Sequence, residues 1–182
     1  QISWKQIHRL NRQRFMAYNE FKYFPQLFKK LPLIERKKGI LKAKKRLKER
    51  LNGTVGVDMP YSTKTAYGKI DLKKRLLKRN KKLKVLIPTH CFYDSPHSYG
   101  YNIFPDFYEW IDFLGQMTKK TNYDWYIKTH PDYLPGTLDI IKGFIKKYPK
   151  FNLLPSQSSH NQLVKEGIDA VLTVYGTIGC EY

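Results

Sequence analysis

Four short, β-rich apolar runs alternating with helical periodicity constrain this sequence more than any other feature. The runs are KVLIP (84–88), YDWYIK (123–128), FNLLP (151–155) and DAVLTVY (169–175). Between the first two, Phe107, Trp110, Ile111, Leu114 and Met117 recur at helical spacing, the pattern of a core-facing helix. LDIIKGFIKKY (138–148) reads as the next helix. A short third one has Ser159 and Gln162 as a capping box and Gly167 as its stop. Strands that alternate with helices connect by right-handed crossovers into a parallel sheet, so the expected fold is α/β, a Rossmann-like doubly wound domain.

Such sheets bind ligands at the carboxyl ends of their strands. In this chain those ends carry His90 and His97 after the first strand and Lys128, His130 and Pro131 after the second. Ser158, Ser159 and His160 follow the third, and Gly176, Thr177, Gly179 and Glu181 follow the fourth. Four of the five histidines lie there. The rim suits a phosphorylated, sugar-bearing ligand. Ser158, Ser159 and the amides of a helix start offer an anion site, and Lys128 and His130 offer positive charge. The GTIG turn is expected to open a second helix N-terminus, with Glu181 in its first turn accepting from sugar hydroxyls. Each position also has a plainer reading: His130 as a strand-end residue, Ser159 as a helix cap, Glu181 as a solvated first-turn acid, and His90 and His97 as part of a polar loop. No Walker A loop, GxGxxG fingerprint, HExxH or HxH spacing occurs, so no metal site and no obligatory metal or cofactor is expected.

The rest of the chain differs in charge. Residues 1–84 hold 26 Lys+Arg against 5 Asp+Glu, a net +21, whereas residues 85–182 hold 8 against 10, a net −2. A helix is expected near residues 3–18, breaks at Pro25 and Pro32, a second helix over 35–51 ending at Asn52-Gly53, and a short basic helix from Asp71. The expected division is a basic helical segment over 1–83 and a Rossmann-like domain over 84–182. Charge of this density points to a polyanion or an anionic membrane surface. The near-neutral half and the lack of any nucleic-acid-binding signature make nucleic acid the weaker alternative. No apolar run approaches a membrane span, and Cys91 and Cys180 form no CxxC pair, so a cytoplasmic protein, peripheral at the inner membrane face, is expected.

WYIKTHPD (125–132), LPSQSSH (154–160) and AVLTVYGTIGCEY (170–182) resemble the carboxy-terminal domain of bacterial capsule and surface-polysaccharide glycosyltransferases of GT-B fold. VDMPYSTKTAY (57–67) and THCFYDSPHSYGYNIF (89–104) also look like this group. The Lys-x-His-Pro element is similar to the His-Pro motif of Kdo transferases, sialyltransferases and teichoic-acid glycerophosphotransferases. The resemblance implies transfer of a sugar from a nucleotide-sugar donor to a surface-polysaccharide or lipid-linked acceptor. By it, His130 and Pro131 would hold the donor nucleotide, Ser158 and Ser159 its phosphates, and Thr177, Gly179 and Glu181 the ribose or sugar. Asp94 or His97 would be the base that deprotonates the acceptor. It also implies that the chain is a fragment lacking an amino-terminal acceptor domain. A CDP-alcohol phosphotransferase is the neighbouring alternative.

Overall fold

The structure, a computed structural model, describes residues 23–57, 60–69, 74–93, 103–174 and 176–182. The expected helix near 3–18 lies outside them, as do Asp94 and His97. The apolar runs form strands β1 (Lys84–Pro88), β2 (Asp124–Lys128), β3 (Phe151–Leu154) and β4 (Ala170–Val171). All pairings are parallel, and the order across the sheet is β3-β2-β1-β4. Side chains alternate between two apolar layers, as the strand period requires. Val85, Ile87, Trp125, Ile127 and Phe151 face one layer, and Leu86, Tyr126 and Leu154 face the other.

The described helices are α1 (Phe24–Lys30), α2 (Leu33–Leu51), α3 (Phe107–Lys120), α4 (Thr137–Lys147) and α5 (His160–Glu166). Asp106 starts α3 by accepting a hydrogen bond from the Glu109 amide at 2.8 Å, and the expected stripe of Phe107, Trp110, Ile111 and Leu114 is buried. Ile141 and Phe144 of α4 join the same layer. Leu163 of α5 packs in the opposite layer, where the chain crosses from edge strand β3 to β4 on the far side of β1. The winding therefore reverses between β1 and β4, which makes that gap the sheet's switch point.

Several expectations are corrected. Pro25 does not interrupt the chain but sits in the first turn of α1, where a missing amide hydrogen costs nothing. α2 starts two residues earlier than expected. Residues 74–83 form no helix, because Glu166 satisfies their backbone from outside: its carboxylate accepts from the Leu76 and Leu77 amides at 2.8 Å each. Gln162 does not complete a capping box, since its side chain donates to the Lys74 carbonyl and to Glu166. The fourth strand spans two residues rather than seven. GTIG forms a single 3-10 turn, Thr177–Cys180, and Glu181 follows it instead of standing in its first turn. Tyr67 and Leu77, both before residue 84, are buried against the α/β half.

Gly115 faces the ring of Tyr148, where an added Cβ would stand 2.2 Å from a ring carbon. That ring is 1% exposed and its hydroxyl is held by Gln116 and Asp112, so it has no room to yield. Gly115→Ala should therefore destabilise the fold by about 1–3 kcal/mol in urea unfolding, the cost of overpacking. A gain of about 0.5–1 kcal/mol, the usual effect of Gly→Ala in a helix, would contradict this packing.

Candidate functional site

Parallel pairing gathers the carboxyl ends of all four strands on one edge. At the switch point His90, just after β1, places Nε2 3.2 Å from Thr173 Oγ1 and stacks on Phe107 with ring centroids 4.8 Å apart. The Gly176 amide donates to the same Thr173 hydroxyl at 3.1 Å. A Cβ on Gly176 would come within 2.7 Å of that hydroxyl, so glycine is required here by close approach. Gly179 passes near Thr173 as well. His90 and Gly176 are thus brought together by Thr173, a residue whose role the sequence does not announce.

The second group lies at the ends of β2 and β3. Lys128 is the last residue of β2 and pairs with Leu154 at the end of β3. Its side chain is 1% exposed, and among the described residues no hydrogen bond or ion pair is assigned to its ammonium. Burial pushes its pKa down to about 8. The hydroxyls of Ser158 and Ser159, in the turn after β3, are buried and make no hydrogen bond. Ser159 therefore precedes α5 without capping it. His130 is exposed beside buried Pro131, and its Nδ1 accepts from the Asp132 amide at 3.1 Å, which leaves Nε2 to carry the proton.

The segment 60–69 straps over these ends. Thr63 Oγ1 donates to Asp132 at 2.8 Å, the Thr63 and Lys64 amides donate to the same carboxylate, and Lys64 Nζ reaches the Pro131 carbonyl. Burial pushes Asp132 up, but these hydrogen bonds and the charge of His130 outweigh it and hold the carboxyl below its ordinary range. Farther along, the Ala66 carbonyl takes the His160 amide at 2.9 Å, so the first amide of α5 is not open to an anion. Glu181 stands beside this strap with its side chain 8% exposed. Its carboxylate accepts from Arg50 Nε at 2.6 Å and from the Tyr67 hydroxyl. Arg50 also reaches Thr177 and lies over the Tyr67 ring, and Asn161 donates to the Leu51 carbonyl at 2.7 Å. Nothing in the order or composition of the sequence pairs Arg50 and Tyr67 with positions more than a hundred residues away.

His160 is buried, 3% exposed, with Nδ1 2.8 Å from the Tyr182 hydroxyl. Burial, then the charges of Lys128, Arg50 and His130, push its pKa down to about 3 from the ordinary 6.5. Lys128, Arg50 and His130 therefore lie close enough to act on one imidazole. No group of three His, Cys, Asp or Glu side chains that could hold a metal occurs among the described residues.

The depressed His160 pKa has a consequence for stability. The unfolded chain binds a proton near pH 6.5 that the folded chain refuses, so this contribution is complete above that pH and is lost as pH falls toward about 3. Chemical unfolding should lose up to about 1.4 kcal/mol per pH unit in the upper part of that window, before carboxylates such as Asp132 and Glu166 begin to titrate. His160→Gln should flatten the slope; an equal slope in the variant would show that His160 does not carry it. Family models, curated proteins and solved structures give no match to this chain, so the fold and the geometry of the strand ends carry the functional reading.

Proposed function

We propose that the chain binds the phosphates of a nucleotide-sugar at the ends of β2 and β3 and forms the donor-binding part of a glycosyltransferase. The acceptor would be a surface polysaccharide or a lipid-linked sugar. The observation that carries the reading is Lys128, an ammonium withdrawn from water with no counter-charge among the described residues. An unpaired buried charge costs several kcal/mol, and folds that keep one generally offset it with a ligand or partner. Two buried serine hydroxyls without partners stand in the adjoining turn, and buried polar groups left unsatisfied are rare. A phosphate supplies what both lack: negative charge for the ammonium and acceptor oxygens for the hydroxyls. In this reading His130, at the same strand ends, would also contact the nucleotide.

The switch-point group of His90, Thr173 and Gly176 would receive the nucleoside or sugar portion, where doubly wound sheets open a crevice. In the reaction, Lys128 and the serine hydroxyls would stabilise the negative charge that develops on the departing phosphate. The acceptor hydroxyl would lose its proton to Asp94 or His97, the residues the sequence offers for that step. In this reading Glu181, held by Arg50 and Tyr67, and Thr177, reached by Arg50, would shape the wall of that crevice.

Calorimetric titration of the chain with CMP, CDP, UDP and GDP is expected to reveal one that binds. Lys128→Met, which keeps length and burial, should weaken it by about tenfold or more, as expected for losing a charged hydrogen bond. Free Lys128 titrates at about 8, so affinity should be full below that pH and fall as pH rises through it, and the variant should lose the dependence. Binding by none of the four nucleotides, or undiminished binding by the variant, would sink the donor-site reading.

A further inference from the structure

Helices α1 and α2 bury no residue. Tyr23, Phe24, Leu27, Leu31, Leu33, Ile34, Ile40, Leu41 and Leu47 are all exposed, from 44% at Ile40 to 67% at Leu41. Phe28 lies against Gly39, 3.9 Å from where a Cβ would stand, so α1 folds back on α2 instead of covering the α/β half. Projected at about 100° per residue, Leu33, Ile34, Ile40, Leu41, Leu47 and Leu51 fall in one stripe of α2 roughly 140° wide. The same helix carries nine Lys or Arg and two Glu, and each Glu already faces a lysine.

Three of those lysines, Lys37, Lys44 and Lys48, project from the middle of the apolar stripe. In a dry protein groove they would be buried without counter-charges, because α2 has no carboxylate to spare. At a lipid surface their stems lie along the apolar face while their ammonium groups reach the headgroups. Nucleic acid would match the charge but offer nothing to exposed Leu and Ile.

We propose that α1 and α2 dock on an anionic lipid surface, with the Leu33/Ile40/Leu41/Leu47 stripe inserted at the headgroup boundary and the surrounding lysines on the lipid phosphates. No described helix is long and apolar enough to cross the bilayer, so the contact lies in the interface. The far end of α2 reaches the strand ends through Arg50 to Glu181 and the Leu51 carbonyl to Asn161. Docking therefore holds the candidate site within about 28 Å of the lipid, one helix length. This surface stands apart from the nucleotide reading and does not rest on it.

The test is co-sedimentation of the chain with phosphatidylcholine vesicles carrying increasing phosphatidylserine. The partition coefficient should rise by about tenfold or more with the anionic lipid and fall with added salt. The combined variant Leu33→Ala, Ile40→Ala, Leu41→Ala and Leu47→Ala keeps every charge and the helix propensity, and should lose most of the binding. Binding indifferent to phosphatidylserine, or a variant that binds like the parent, would overturn the proposal. So would preferential capture by a DNA duplex at the same ionic strength, or a dimeric parent that the four substitutions make monomeric without lipid. Nucleotide titration of the same variant should be unchanged, which separates this failure from that of the donor site.

Discussion

Hydrogen bonding of β1 in parallel to β2 on one side and β4 on the other is the constraint from which the candidate site follows. Parallel strands must be rejoined by crossovers, so both faces of the sheet are covered and all four carboxyl ends point the same way. α3 and α4 cover one face, and α5 with the 74–83 segment covers the other. The reversal between β1 and β4 opens the edge where His90, Thr173 and Gly176 meet. The same geometry ends β2 at Lys128, which is buried beside the end of β3.

The chain before residue 84 is tied to the α/β half by carboxylates. Glu166 receives the backbone of Leu76 and Leu77, Asp132 receives Thr63 and Lys64, and Glu181 receives Arg50 and Tyr67. Charge-assisted hydrogen bonds of this kind contribute about 1.5–3 kcal/mol each when shielded from water. Tyr67, buried and bonded to Glu181, has its hydroxyl pKa pushed well up and stays a neutral donor. Within the basic half, the described residues divide into a docked strap and two helices that bury no residue.

The parts of the fold visible in the sequence are those set by local periodicity. The Phe107–Met117 stripe, the four apolar runs and the Gly167 stop with its positive φ all mark their elements within a few residues. Placement of Lys128, His130, Ser158, Ser159 and His160 at strand ends follows from that pattern alone. What the sequence hides depends on distant partners. The 74–83 segment looks helical by composition, yet Glu166 supplies the acceptors a helix would have supplied. Ser159 and Gln162 have the spacing of a capping box, but Gln162 is drawn to Lys74 and Glu166. Glu181 resembles a free first-turn acid until Arg50 and Tyr67 reach it.

Lys128 is the residue on which the functional reading turns, because it is a buried lysine with no counter-charge among the described residues. Its titration can be followed directly by NMR of lysine labelled with ¹³C at Cε, with the resonance assigned by its loss in Lys128→Met. In the free chain it should titrate at about 8. With the bound nucleotide it should move back toward the ordinary value of 10.5, because the phosphate stabilises the charged form. A free-state midpoint already near 10.5, or one that the nucleotide leaves unmoved, would contradict the account.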